Sequence, residues 1–303
     1  MVDIKDGIMK RLNKARLVGG AVRTSLTFNI RHKAWKKRFP PQQLKTIIVD
    51  MDGTILKTDS SYEALKIMYP EIVDGKEVLG EFIYRKILQQ IFEGSQSIEG
   101  AIVTGTEFLM DSGFHKGDFE RVLNVVKGSL RENLIYALKD IREKQDVKIV
   151  LASLSSVEFG RMLNNYLKEK YDFSFDAIVG TIMKFDNEGK LIGLKRIVGT
   201  QNGNIEGIRV LTKISALRKI MKESRWDFDE ATSVLITDSY GDVDLSKKIP
   251  TILIKPSDKS TAVQMVSHLL RLGDLIVEDN ELLREKINSE LSVQKDNFPA
   301  SQG

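Results

Sequence analysis

Ile47-Ile48-Val49-Asp50-Met51-Asp52-Gly53-Thr54 is the stretch on which the reading of this chain turns. Three β-branched residues run straight into a carboxylate, and a second carboxylate follows two positions later. A short all-apolar run of this kind predicts a strand buried on both faces, as in parallel sheets. Ligands sit outside the carboxyl ends of such strands. Asp50 and Asp52 are therefore expected in a ligand crevice, with Gly53 letting the chain turn at no steric cost. Two acids so close repel each other unless a cation or a proton comes between them. The pattern points to a metal-assisted site in which one acid attacks and the other carries a proton. An Asp-Gly turn without chemistry is the plain alternative, and the rest of the chain decides between them.

Composition narrows the choice. The chain has 303 residues, 42% hydrophobic and 29% charged, enough for one large α/β domain with a smaller one beside it. It contains no Cys, which excludes disulfides, a thiolate nucleophile and cysteine-ligated metal. The three His (His32, His115, His268) are scattered, which disfavours a histidine-built metal site or a Ser-His triad. No apolar run approaches the ~18 residues that span a bilayer, and no secretory apolar core stands near Met1. A cytoplasmic protein is expected.

The net charge of +4 is unevenly spread. Residues 1–45 hold 12 Lys/Arg against Asp3 and Asp6, or +10, so the remainder carries −6. Residues 1–44 are read as a basic arm. Ile4, Ile8 and Leu12 suggest an amphipathic helix over 3–18, and Trp35 lies inside a second basic cluster, 31–38. A solvated extension is the plain reading of such a run. Peripheral contact of residues 1–38 with an anionic membrane is the sharper one, and nucleic acid is disfavoured.

Beyond the octet, residues 57–128 read as an all-helical, lid-like insertion, with helices at Ser61–Met68, Lys76–Phe92, Ser97–Met110 and Asp118–Lys127. So long an insertion exceeds an ordinary βα connection. The α/β pattern then resumes with a helix at Leu130–Lys144 and an apolar strand, Val147–Ala152, ending in Ser153-Leu154-Ser155-Ser156. Ser155, three residues before Glu158, has capping-box spacing and reads as a helix N-cap. Ser153 stands at a strand end facing a helix N-terminus, where anions bind. A strand at Ala177–Gly180 leads into a hairpin around Asn187-Glu188-Gly189, and Lys213 opens a helix with an apolar stripe of Ile214, Leu217 and Met221. A lysine there opposes the macrodipole, a conflict that a bound phosphate would relieve. Another strand, Ser233–Thr237, ends in Asp238-Ser239-Tyr240-Gly241-Asp242, and a fifth follows at Thr251–Ile254. Helices near Thr261–Leu272 and Glu281–Leu291 precede a polar tail. The expected division is a basic arm (1–44), an α/β core (45–56 and 129–285), a helical insertion (57–128) and a tail (286–303).

Asp50-Met51-Asp52-Gly53-Thr54, Ser153, Lys213 and Asp238-Ser239-Tyr240-Gly241-Asp242, in that order, resemble the four motifs of the haloacid dehalogenase (HAD) superfamily. The helical insertion after the first motif is similar to a C1-type cap, as in the phosphoserine-phosphatase-like branch. The resemblance covers residues 45 to 258. It implies a Rossmann-like parallel sheet core carrying an inserted helical cap. It also implies an Mg²⁺-dependent phosphatase acting on a small phosphorylated metabolite through an aspartyl-phosphate.

On that resemblance Asp50 is the nucleophile and Asp52 the general acid and base. Asp50 and Asp238 would ligate Mg²⁺, with the Asp52 carbonyl oxygen added, and Asp242 would hold a metal-bound water or orient Lys213. Ser153 and Lys213 would bind the phosphoryl oxygens, and Thr54 would support that loop. Phosphoryl transfer needs this kind of charge neutralisation and positioning. Asp59 falls where phosphoserine phosphatases carry a substrate-reading glutamate, with an N-cap for the helix after it as its other reading. Two other functions fit the same residues: phosphotransfer to an acceptor other than water, and a phosphate-sensing adaptor that uses the basic arm.

Overall fold

A computed structural model describes residues 44–238, 240–255 and 274–291. The expected helices at 3–18 and 261–272, the basic cluster at 31–38, Ser239 and residues 292–303 lie outside that set. The chain opens with β1 (Thr46–Val49), followed by α1 (Ser60–Met68), a hairpin of β2 (Ile72–Val73) and β3 (Glu77–Val78), α2 (Leu79–Phe92), α3 (Ile98–Asp111) and α4 (Asp118–Val126). Next come α5 (Glu132–Lys144), β4 (Lys148–Ser156), α6 (Val157–Tyr171), β5 (Ala177–Phe185), β6 (Leu191–Gly199), β7 (Gly203–Ile205) and β8 (Ile208–Thr212). The described elements finish with α7 (Lys213–Glu223), β9 (Ser233–Thr237), α8 (Val243–Ser246), β10 (Thr251–Lys255), β11 (Leu275–Glu278) and α9 (Leu283–Leu291).

The sheet is nine-stranded, in the order β11-β10-β9-β1-β4-β5-β6-β8-β7. From β11 to β5 every pair is parallel. β6 then turns antiparallel to β5, so the sheet is mostly rather than wholly parallel. β1 lies between β4 and β9, with all four residues buried. Alternation sends its side chains to opposite faces. Ile47 and Val49 join one apolar cluster with Leu134 and Leu138 of α5, and Ile48 joins another with Leu217 of α7. Helices on both faces are why the strand reads as an unbroken apolar run. From β1 the chain steps to β4 and β5 on one side, then returns to β9 and β10 on the other. The strand order therefore reverses at β1, and a crevice forms at its carboxyl end.

The helical block between β1 and α5 departs from expectation in two ways. A short hairpin replaces the first turn predicted at Lys76, with Asp74 and Gly75 both at positive φ (52° and 65°). Asp-Gly tolerates such backbone in a tight turn, and helical periodicity does not register two-residue strands. The block is also stitched to the body. Glu99 of α3, only 2% exposed, accepts bonds from Thr200 N (2.6 Å), Thr200 Oγ1 (2.9 Å) and Gln201 N (3.3 Å) after β6. Lys116 N donates to Gly189 O and Leu191 N to Phe114 O, an isolated antiparallel bridge from the block to the β5–β6 hairpin. Ile83, Leu109, Phe119 and Val126 of the block belong to the same cluster as Ile47 and Val49.

α1 and α2 cross closely at Gly80, where an added Cβ would sit 2.2 Å from the Leu65 carbonyl oxygen. Gly80→Ala is expected to cost about 1–3 kcal/mol through forced separation of the two helices. Urea unfolding of the variant checks this, and an unchanged midpoint would show that the crossing yields freely.

Candidate active site

The carboxyl ends of β1, β4 and β9 and the first turn of α7 bring the expected residues together. Asp50 leaves β1 with its amide bonded to Ile236 O of β9 (3.0 Å) and is 5% exposed. Lys213, 1% exposed at the first position of α7, reaches Asp50 Oδ1 (2.7 Å) and Asp242 Oδ1 (2.6 Å). The other oxygen of Asp242 accepts from Thr237 Oγ1 at 2.6 Å. Thr54 Oγ1 donates to Asp238 Oδ1 at 3.0 Å, both side chains fully buried. Thr54 thus supports a carboxylate on the adjacent strand.

The lysine that seemed misplaced at a helix start has its own counter-charges. Asp50 and Asp242 pair with it, and Asp244 Oδ2 accepts the Ile214 amide (3.0 Å) at the same N-terminus. No phosphate is required to settle the helix dipole there. Thr212 caps α7 by accepting from Ser215 N.

Asp52 sits in a different environment. Its Oδ1 accepts the Ser60 amide at the start of α1 (2.7 Å), and its Oδ2 accepts from Ser155 Oγ (2.6 Å) and Ser153 Oγ (3.3 Å). Ser155 is therefore not a helix cap. Ser156 caps α6 by accepting from Phe159 N, one residue later than the capping-box spacing predicts. β4 runs on through the serines, and its register against β5 shifts between Ala152 and Ser156. Irregularities of this kind re-aim side chains beside sites. Gly180 of β5 permits the local fit, since a Cβ there would lie 2.6 Å from Ser155 O.

Asp59 is spent on structure. Its Oδ1 caps α1 by accepting from Ser61 N (2.8 Å) and Tyr62 N (3.0 Å), and its Oδ2 accepts from Tyr84 Oη (2.7 Å). Both oxygens are engaged, which favours the capping role over contact with a substrate amine. Burial and the nearby Asp59 hold the Tyr84 hydroxyl well above its ordinary pKa, so it remains a donor.

These surroundings raise both motif acids. Burial, then Asp59, pushes the Asp52 carboxyl up to about 6. Burial also raises Asp50 well above the usual carboxylate range, with Asp242 and Asp238 adding to the rise and Lys213 opposing it. Burial draws the Lys213 ammonium down, but Asp242 and Asp50 outweigh it and keep the lysine charged above its ordinary range.

The charge balance tests whether a divalent cation fits. Asp50, Asp238 and Asp242 are 5%, 0% and 1% exposed, and the buried cation paired with Asp50 and Asp242 is Lys213. With all three ionised, the buried set is two negative charges in excess, which a divalent ion would cancel. Among the described residues no three His, Cys, Asp or Glu side chains form a ready-made metal cage. Mg²⁺ does not need one, because it takes one or two carboxylates and completes its shell with water and phosphate oxygens. The Asp242 carboxylate is committed to Lys213 and Thr237, and that of Asp52 to Ser60 and the serines. Asp50 and Asp238 are carboxylates that could hold such an ion.

No family model and no curated protein matches this sequence. Solved structures do match. A phosphoserine phosphohydrolase-like protein from Francisella tularensis is 17% identical, with 80% of this chain and 99% of that one covered and a TM-score of 0.57. A phosphoserine phosphatase solved as a phospho-aspartyl intermediate analogue is 16% identical over 81% and 98% of the two chains, at 0.54. A HAD family hydrolase from Salmonella enterica serovar Typhi is 15% identical, with 77% of this chain covered and a TM-score of 0.53. This chain spans 66% of the length of that protein. The fold is that of the HAD hydrolases. At these identities the likeness is one of fold, and the chemistry rests on the residues themselves.

Within this HAD fold, sequence reasoning missed Ser155 and Asp244. Ser155 had a competing local explanation, and Asp244 is only the last acid of an acidic run. Strand parity was the usable signal for the serine, since Ser153 and Ser155 lie two apart and share a face.

Two measurements probe this electrostatic arrangement. Lys213→Met leaves Asp50 and Asp242 buried without their shared cation and is expected to cost about 3–5 kcal/mol. Urea unfolding at pH 7 reads the loss, and an unchanged midpoint would refute it. The second concerns Asp52, whose folded pKa is raised. Its contribution is fully present below the unfolded carboxylate value and is lost as pH rises through about 6. Wild-type stability should therefore gain on moving from pH 7 to pH 5 relative to Asp52→Asn. Parallel pH dependences for the two proteins would contradict this.

Proposed function

We propose that the protein is a phosphomonoester hydrolase that forms an aspartyl-phosphate on Asp50, with Mg²⁺ held by Asp50, Asp238 and the Asp52 carbonyl oxygen. The observation that carries this reading is the unlike treatment of two acids two residues apart. Asp50 is ion-paired to Lys213, whereas Asp52 is bonded to hydroxyls and a backbone amide and has no cation beside it. Titratable neighbours held in different environments are the mark of a nucleophile beside an acid–base group.

When bound, the ion supplies charge neutralisation at the transferring phosphoryl group. The chain's own residues do the rest. An Asp50 carboxylate oxygen attacks phosphorus as the bond to the ester oxygen breaks. The Asp52 carboxyl gives its proton to the departing alkoxide. Asp52, now ionised, takes a proton from a water as that water attacks the phosphorus of the aspartyl-phosphate. Phosphate leaves, and Asp50 is restored. An ammonium has three N–H groups; Lys213 donates one to Asp50 and is ion-paired with Asp242, which leaves donor capacity for a phosphoryl oxygen. Ser153 supplies the other contact to those oxygens.

A small phosphorylated metabolite is the substrate class that suits the surroundings. Asp52 is bonded to the first residue of α1, and Ser61 Oγ lies 3.3 Å from Ser155 Oγ. A leaving group at Asp52 therefore meets the helical block at once.

Phosphate release across a panel of phosphomonoesters with Mg²⁺ tests the reading. Asp50→Asn should abolish turnover, as should chelation of the metal. Asp52→Asn should lower kcat by about 10²–10⁴-fold on alkyl esters and less on activated aryl esters. Turnover that survives Asp50→Asn would refute the covalent route. Alcohol phosphates formed in alcohol–water mixtures in place of free phosphate would reassign the activity to phosphotransfer.

A further inference from the structure

We propose that Arg131, tied to Asp279, is a positioning residue for the loop that carries Asp52 and Thr54, and that it makes the C-terminal strand part of the site. The proposal rests on the phosphatase reading above. Arg131 stands just before α5 and is 3% exposed. Its Nη1 donates to the carbonyl oxygens of Gly53, Thr54 (2.7 Å) and Leu56 (3.5 Å). Its Nε lies 3.0 Å from Asp279 Oδ2, in the residue after β11. Lys57 reaches the same carboxylate at 3.4 Å.

Main-chain amides brace the loop throughout: Lys57 N donates to Ser129 O (2.8 Å), Arg131 N to Ile55 O (2.9 Å), Gly53 N to Thr58 O (3.3 Å) and Thr54 N to Met51 O (3.2 Å). The carbonyls of Gly53 and Thr54, where the chain turns through a positive φ at Gly53 (77°), go to the guanidinium. These two residues lie between the Asp52 carboxyl and the Thr54 hydroxyl that holds Asp238. A buried arginine is costly unless paired and hydrogen-bonded, and the Asp279 carboxylate with the loop carbonyls supplies both. Nη1 meets the carbonyls while Nε stands against Asp279, two separated contacts that a single ammonium cannot make together, so lysine is a poor substitute.

The reacting groups that bind phosphate, Ser153 and Lys213, do not touch this clamp. Loosening it should therefore impair the chemical step and leave ground-state binding alone. Arg131→Lys is expected to lower kcat by about 100-fold with KM unmoved, the size of effect that small misplacements produce. Asp279→Asn, which leaves the arginine in place and threatens folding less, should fall in the same direction, and Asp279→Glu should recover much of the loss. Amide hydrogen exchange gives a readout independent of activity. In Asp279→Asn, exchange should quicken at residues 53–56 by more than at the other core amides, beyond what the loss of the buried ion pair takes from global stability.

A raised KM with unchanged kcat, or exchange that quickens to the same extent throughout the chain, would overturn the proposal and leave Arg131 a purely structural residue. Absence of phosphatase activity in the wild-type protein would instead defeat the functional reading. The exchange measurement would still show whether Arg131 and Asp279 hold the loop, and unaltered exchange there would refute the clamp by itself.

Discussion

Everything at the carboxyl end of β1 answers to one constraint: two buried carboxylates, Asp50 and Asp242, share one buried ammonium, and a third, Asp238, adds its charge to Asp50. Lys213 lies within 2.7 Å of both Asp50 and Asp242, and Asp238 adds to the field that raises Asp50. Like charges in a low-dielectric crevice repel strongly, so the arrangement holds only if each acid has its own compensation. Asp242 has Lys213 and Thr237, and Asp238 has Thr54. Asp50 has only a share of Lys213, and it is the acid with the largest stake in a further cation. The topology serves the same constraint. Reversal of strand order at β1 sets the ends of β4 and β9 on either side of Asp50, so groups from distant parts of the sequence converge without any loop having to reach far.

Residue type does not assign roles here; surroundings do. Asp50, Asp52, Asp59, Asp242 and Asp244 share one side chain yet have unlike partners. Asp59 and Asp244 each accept main-chain amides at a helix N-terminus and so hold α1 and α7 in place. Asp52 accepts hydroxyl bonds from the bulged end of β4 and one amide from α1, and it is held near the pKa that acid–base work at neutral pH requires. Asp50 faces the lysine. Exchanging any two of these environments would exchange the chemistry, with the sequence motif unaltered.

That dependence explains which parts of the site were legible beforehand. β1 and β9 were plain, because a buried parallel strand is an unbroken apolar run and its end is marked by the first polar residue. Lys213 was plain as an oddity, a cation where a helix favours anions, although its counter-charges come from Asp50, Asp242 and Asp244. Ser155 was misread, because adjacent serines offer the same capping signal in two registers and only the strand bulge chooses between them. Arg131 could not be found at all. Its importance lies in carbonyl groups 75 to 78 positions away and in a carboxylate beyond β11, and backbone carbonyls leave no trace in a residue pattern.

The helical block shows the same limit from another side. Its amphipathic stripes predict helices well, but not whether those helices swing free or are fixed. Glu99 decides part of that question. A fully buried carboxylate is expensive, and this one is repaid by two amides and a hydroxyl at the end of β6, where Gly199 leaves no side chain in the way. A second tie, through Phe114 and Lys116, is an isolated bridge to the β5–β6 hairpin. Between these ties the block shares its apolar cluster with the body. Opening it as a rigid lid would expose that cluster and strand Glu99 away from its donors. Entry to the acids is therefore more economical by small movements near α1, where Ser61 and Ser155 meet at the edge of the site, than by rotation of the whole block.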